Sequence, residues 1–289
     1  MQKIAIVTDS NSGITLQEAK ELGIYLISMP FMIDGNEYFE ELTLSQDDFY
    51  RYLKDDNVKI STSQPSNLVV TELWDKLLKD YDAILHIPMS SGLSNSCATA
   101  IALSQDYKGR VFVIDNQRIS VTQKQSVYDA LALIKKGKSA EEIANILLET
   151  KMHATIYIMV DTMKYLKRGG RVTPAAAAIA TVLNIRPVLQ IHGEKLDAYC
   201  KTLSIRTAKK KMIAAMKHDL ETFLKDDMEK GNVCFYIAHT QNEKEAKLFA
   251  EEIKKELGVE ISYIDPLSLS VSCHIGPGSL AIAAACKIS

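Results

Sequence analysis

The chain has 289 residues, 47% hydrophobic and 24% charged, the balance of a globular protein with a core of useful size. A formal net charge of −2 leaves no bulk field to recruit nucleic acid or an anionic membrane. No stretch approaches the roughly 20 apolar residues of a membrane span. MQKIAIVTDS carries no apolar run with a small-residue cleavage site, so the expected setting is the cytoplasm.

The run 3–8 (KIAIVT) reads as a buried strand that feeds a capped helix through Asp9-Ser10-Asn11-Ser12. Helical spacing follows in Leu16, Ala19 and Leu22, and 24–33 reads as a second strand with an edge or bend at Pro30. Helices near 45–54, 67–79 and 94–104 then alternate with apolar runs at 60–66, 83–89 and 111–115. Helices near 121–136 and 139–151 close the half. Short apolar strands separated by helices predict a parallel sheet covered on both faces, a three-layer α/β/α domain over 1–150.

The second half, 151–289, reads as an α+β two-layer domain. Strands are expected at 154–160, 234–240, 259–266 and 279–286, with a helix pair over 164–184 broken at Gly169-Gly170. The runs 185–191 and 195–203 flank His192-Gly193-Glu194 as a hairpin would. A basic helix spans 205–224, and an amphipathic helix spans 242–258, ending in a glycine.

Cys97, Cys200, Cys234, Cys273 and Cys286 are scattered, odd in number and free of any C-x-x-C pair. That pattern suits reduced core thiols, and no metal site is expected because Cys and His ligands lack close spacing. No G-x-S-x-G or H-E-x-x-H occurs. Gly137-Lys138-Ser139 mimics the end of a phosphate-binding loop, but Ala132 stands where its first glycine belongs. Asp115 and Asp161 follow strands and either could be a general base, although capping is the commoner use.

The polar clusters carry more. Three runs end in hydroxyls: Thr8-Asp9-Ser10-Asn11-Ser12, Ser61-Thr62-Ser63-Gln64-Pro65-Ser66 and Ser90-Ser91-Gly92-Leu93-Ser94. Any one is a helix cap, since Ser and Asn oxygens accept the N–H groups of a first turn. Three on one rim of a parallel sheet point to a ligand crevice beyond the strand ends. Arg171, after two glycines, and His274, before Gly276-Pro277-Gly278, could add charge to it. Arg206, Lys209, Lys210, Lys211 and Lys217 read as a solvated face first and a protein-docking face second.

The segments STSQPS (61–66), SSGLS (90–94), LKRGGR (166–171), RP (186–187) and HIGPGS (274–279) together resemble the DegV family of bacterial fatty-acid-binding proteins. The resemblance spans essentially the whole chain. It departs at Asn95-Ser96, where the family often has Gly-Thr, and at Asn11-Ser12-Gly13, which replace an acidic ending. It implies a parallel α/β domain joined to an α+β domain, with a long-chain fatty acid lying between them. Thr62 and Ser94 would hold the carboxylate, with Ser63, Ser91 and Gly92 adjacent and Arg171 and His274 as nearby basic groups. The family's characterised members act as the acyl carrier subunit of fatty acid kinase. A separate ATP-binding subunit phosphorylates the bound acid, and the acyl-phosphate goes on to phospholipid synthesis, where membrane enzymes are met transiently.

On that reading the chain is a monomer with no cofactor and no catalytic residue of its own, and the small side chains of 175–183 leave room for a tunnel or pack tightly. The alternative is a subunit like that of dihydroxyacetone kinase, holding a small carbonyl compound through His274. A third reading is a regulatory module docking a partner through Arg206.

Overall fold

Buried β1 (Ile4–Asp9) runs into a turn at Ser10–Ser12 in which Asp9 accepts the Asn11 N–H, as the strand-then-cap pattern requires. Five further elements follow the same grammar: α1 (Leu16–Leu22), β2 (Tyr25–Ile27), β3 (Pro30–Ile33), β4 (Asn36–Phe39) and α2 (Gln46–Lys54). After them come β5 (Ile60–Thr62), α3 (Asn67–Leu77), β6 (Ala83–Ile87), α4 (Asn95–Ser104), β7 (Val111–Val113), α5 (Ser120–Lys135) and α6 (Ala140–Glu149). Thr15, Ser45, Ser66, Ser94 and Ser139 each cap a helix by accepting a first-turn N–H. Ser139 does so in a reciprocal box with Glu142, which is the role of the loop that mimics a phosphate-binding motif.

This computed structural model describes residues 2–169, 174, 185–194 and 196–288. The chain divides into one unit of Met1–Lys151 with Ile288–Ser289 and another of Met152–Lys287. Ile288, expected in the second half, instead donates its N–H to Asp129 Oδ1 at 3.0 Å within the first unit.

In the first unit β2, β1, β6 and β7 pair in that order, all parallel. Ile6, Leu85 and Ile87 pack on Val127, Ile143 and Leu147 of α5 and α6. Val7 and Ile84 pack on Val70, Trp74 and Ala100 of α3 and α4. The sheet is therefore covered on both faces, as expected of near-continuous apolar strands.

One expectation needs correction. The run 24–33 is two strands, broken before Pro30, and β3 pairs antiparallel with β4 and β5 in a separate small sheet. Thr62 and Ser61 therefore sit in an antiparallel ladder opposite Phe31 and Met32, and not at the end of a parallel strand. No residue of β5 is fully buried, so it joins the edge of the β3–β4 hairpin rather than the buried parallel layer.

The second unit comprises β8 (Ala154–Met159), α7 (Lys164–Gly169), β9 (Val188–Ile191), β10 (Leu196–Cys200), α8 (Ile205–Glu221), α9 (Lys225–Glu229), β11 (Val233–His239), α10 (Glu243–Leu257), β12 (Ile261–Pro266), α11 (Leu269–Ile275) and β13 (Leu280–Cys286). Its described strands form one mixed sheet ordered β10-β9-β8-β13-β11-β12, parallel only between β11 and β12. Met212 and Met216 of α8 and Phe249 and Ile253 of α10 pack on Phe235, Ile237 and Ile282. β9 and β10 form the expected hairpin.

The basic helix is only partly a solvated face. Arg206, Lys210, Lys211 and Lys217 are exposed, but Lys209 is buried and donates to Glu245 at 2.6 Å and Glu252 at 2.5 Å on α10. Burial works against its ammonium, and the two carboxylates more than offset that, holding its pKa above the ordinary lysine value. Arg171 and the stretch 175–183 lie outside the described residues. Among the described residues no helix is long and apolar enough to cross a membrane.

Candidate functional site

The parallel register brings the C-terminal ends of β1, β6 and β7 to one rim, with Thr8 opposite Ile87 and His86 opposite Val113. Asp9 is the clamp of that rim. Its Oδ1 accepts the Asn11 N–H at 3.0 Å and Gln123 Nε2 at 3.3 Å, and its Oδ2 accepts the Met89 N–H at 2.8 Å. Gln123, at the start of α5, also donates to Thr8 Oγ1 and to the Ile87 carbonyl, both at 3.1 Å. Burial pushes the Asp9 carboxyl above the ordinary aspartate range, while the donors from Met89, Gln123 and Asn11 pull the other way.

Ser90 to Ser94 form one tight turn. The Ser90 carbonyl accepts the N–H groups of Leu93 at 3.0 Å and Ser94 at 3.1 Å, and the Gly92 N–H donates to Ser90 Oγ at 3.3 Å. The Ser91 N–H donates to Asp115 Oδ1 at 3.2 Å, and the Ser90 N–H to the Arg118 carbonyl at 2.9 Å. Ser94 caps α4: its Oγ accepts the Ser96 N–H at 3.2 Å and lies 2.9 Å from Ser96 Oγ. The run after Met89 is thus a cap. Its amides are committed to protein acceptors, so what the turn can offer an anion is hydroxyl chemistry rather than an N–H nest.

The Ser61–Ser66 cluster reaches this turn indirectly, through Gln64 Oε1, which accepts from Thr99 Oγ1 of α4 at 3.0 Å. Thr62 is half-buried in β5, and Ser63 is exposed with its N–H on the Pro30 carbonyl at 3.2 Å. Between the clusters lies a cavity of about 10 Å³, bordered by Asp9, Gln64, His86, Ser96 and Thr99. It has the size of one water and cannot admit an alkyl chain.

His274 stands in the last turn of α11, in the second unit, half-buried. The Gly276-Pro277-Gly278 turn after it is pinned by buried Thr240, whose Oγ1 donates to the Gly276 carbonyl at 2.7 Å and accepts the Ser279 N–H at 2.9 Å. The Gly278 N–H returns to the Thr240 carbonyl at 2.7 Å. Asp161 accepts from Arg186 Nε at 2.9 Å, an ion pair rather than a poised base. Ser91, Gly92 and Ser94 are brought onto one turn, with Thr62 and Ser63 on a neighbouring element.

Sequence reading underrates the loop after β7. There Asp115 anchors the Ser91 turn, and buried Asn116 and Arg118 both bond Ser126 of α5, at 2.6 and 3.1 Å. The signal was present: VFVID ends in Asp-Asn much as IAIVTD ends in Asp-Ser-Asn. Thr240 carries the same signal, a hydroxyl at the end of CFYIAHT.

A three-layer parallel α/β unit with hydroxyl-rich strand ends, followed by a unit on a mixed six-stranded sheet, defines a two-unit α/β protein. The chain belongs to the DegV family: the family model described as "Uncharacterised protein, DegV family" matches residues 3–287. It is 31% identical over 282 residues to Protein DegV of Bacillus subtilis, covering 96% of this chain and 98% of that one. The crystal structure of DegV from Bacillus subtilis, described as a fatty acid binding protein, superimposes with a TM-score of 0.84 at 29% identity, covering 99% of this chain and 100% of that one. A DegV family protein from Thermus thermophilus, described by its fatty acid binding, shares the fold, with a TM-score of 0.88 at 23% identity over 98% of this chain and 99% of that one. So does a stearic-acid-binding protein from Eubacterium ventriosum, with a TM-score of 0.88 at 21% identity over 100% and 99%.

Proposed function

We propose that this protein is a cytoplasmic carrier that binds a long-chain fatty acid and presents its carboxylate to an ATP-dependent kinase subunit. The observation that carries the reading is full-length similarity to a relative described as fatty-acid-binding, in a chain that keeps a hydroxyl rim at the matching motifs. Thr62 and Ser94 meet the carboxylate, Ser63, Ser91 and Gly92 border it, and Arg171 and His274 supply positive charge. An isolated buried carboxylate is prohibitive, so hydroxyl donors and a cation are the minimum that makes its burial tolerable. The tail supplies the affinity, about 0.8 kcal/mol for each methylene removed from water.

The chemistry belongs to the partner. A carboxylate oxygen attacks the γ-phosphorus of ATP, the bond to the β-phosphate oxygen breaks, and ADP leaves with that electron pair. The resulting acyl-phosphate is carried on to phospholipid synthesis. Exposed Arg206 on α8 is the candidate docking residue. The carrier works as a monomer.

Organic extraction of the purified protein and mass spectrometry of the extract should yield a long-chain fatty acid at close to one equivalent. An empty extract, together with no uptake of added oleate or palmitate, would refute the carrier reading. The double substitution Thr62→Ala and Ser94→Ala should weaken fatty-acid binding by about 1–3 kcal/mol, read by displacement of a fluorescent fatty acid. Ser94→Ala also removes a helix cap, at about 1 kcal/mol of stability. Ser66→Ala, which removes the cap of α3 instead, is the control and should leave binding unchanged.

A further inference from the structure

Strand order brings together three side chains that no local motif joins. His153 immediately precedes β8, Asp227 lies in α9, and Cys286 ends β13. β8 and β13 are antiparallel neighbours, and the Cys286 N–H donates to the His153 carbonyl at 2.8 Å. Asp227 bridges the pair: its Oδ2 lies 2.7 Å from His153 Nδ1, and its Oδ1 accepts from the Cys286 thiol at 3.4 Å. The three ligand atoms all lie within 4.8 Å of one another. Cys286 is buried, the Asp227 side chain is 13% exposed and the imidazole 43% exposed.

We propose that His153, Asp227 and Cys286 form a binding site for a borderline-soft divalent transition-metal ion of the Zn²⁺ type. The donor set selects the class. A thiolate and an imidazole suit Zn²⁺ and its first-row neighbours, whereas Mg²⁺ and Ca²⁺ require oxygen ligands throughout. Bond lengths of about 2.0–2.3 Å around a tetrahedral zinc place its ligand atoms roughly 3–4 Å apart. The Asp227–Cys286 pair at 3.4 Å already has that spacing, and the 2.7 Å His153–Asp227 contact opens as the ion takes the place of the Nδ1 proton, the imidazole then carrying its proton on Nε2. The Cys286 thiol loses its proton to solvent on binding, so one thiolate and one carboxylate balance the two positive charges. The half-exposed His153 side leaves an entry path and a fourth position for water.

This site lies outside the residues assigned to the fatty acid and stands whether or not that assignment holds. It also revises the expectation of no metal site, which rested on local spacing: His153 and Asp227 are 74 residues apart, and Asp227 and Cys286 59.

The test uses the full-length reduced protein, freed of metal by chelation and titrated with Co²⁺ and then Zn²⁺. Co²⁺ should produce a near-ultraviolet thiolate-to-cobalt charge-transfer band with tetrahedral visible bands, and one equivalent of Zn²⁺ should bleach both. Zn²⁺ should raise the melting temperature, and Mg²⁺ should not. Cys286→Ser should abolish the charge-transfer band. His153→Ala, at a half-exposed position that keeps the fold testable, should weaken Zn²⁺ binding by about tenfold or more, since even outer-shell partners are worth about 10–100-fold. Absence of the band in the wild-type protein overturns the proposal. A band that survives both substitutions overturns it too, because the ion is then held by another thiol.

Discussion

Replacing Gly276 by alanine should lower the stability of the second unit by roughly 2–6 kcal/mol, seen as a fall in the urea midpoint of that unit's transition. Two costs add. Gly276 has φ +74° and ψ 175°, a region essentially reserved for glycine, where another residue costs about 1–3 kcal/mol. A Cβ built there would stand 2.1 Å from Tyr165 Cδ2 and 2.3 Å from Cε2, so the buried ring must move, an overpacking cost of about 1–3 kcal/mol. The ring belongs to α7, so the strain falls on the contact between α7 and α11, just after His274. Gly258→Ala, in the same unit, is the comparison: its φ is +68°, but a Cβ there meets nothing within 4 Å, so only the backbone cost applies. Equal midpoints for the two variants would show that the Tyr165 contact carries no weight.

Acid should unfold the first unit earlier than its carboxylates alone would require, because of His86. The imidazole is buried in β6, edge-on to Trp74 at 5.5 Å, and its Nδ1 has no hydrogen-bond partner. Burial lowers its pKa from 6.5 to about 3. Its folded pKa is depressed, so its contribution to stability is full above pH 6.5. Below that, the unfolded chain takes up a proton that the folded chain refuses, and stability falls until pH is near 3. At about 1.4 kcal/mol per pH unit, the loss over that window is on the order of 5 kcal/mol.

Asp9 opposes this. Its raised pKa lets the folded state bind a proton more readily than the unfolded chain, which adds stability as pH falls toward the ordinary aspartate range. His86→Leu should therefore flatten the acid limb of the first unit between pH 6.5 and 4, measured by chemical denaturation at several pH values. His239 is shifted the same way by burial, which is why the first unit's own transition must be followed. An acid slope unchanged by His86→Leu would remove His86 from the account.

Among the rim residues, the hydroxyl run after Met89 shows how one local signal can serve two readings. A serine before a helix satisfies a first-turn N–H whether or not a ligand is near, and Ser94 does so here. Periodicity could not separate cap from cradle, because both ask for the same residue type at the same place. What separates them is that the Ser90, Ser91, Gly92, Leu93 and Ser94 amides all have protein acceptors, two of these contributed by the loop after β7. The half-buried hydroxyls of Ser91 and Ser94, not the amides, are the polar groups the turn leaves uncommitted to its own backbone.

The elements themselves were legible from residue order. Short apolar runs, a hydroxyl or Asn at most helix starts and the glycines that end α1, α10 and α11 are effects of the nearest few residues, and the parallel first unit follows from the alternation of strands and helices. Its rim follows too, since parallel strands end on one side. Tertiary structure alone decided that Ile60–Thr62 joins a separate antiparallel sheet, that Lys209 is buried between two glutamates, and that Tyr165 lies against Gly276. It alone brought His153, Asp227 and Cys286 together. Each of these depends on which strand or helix lies beside which, a choice made by packing across many tens of residues and written in no short window of the chain.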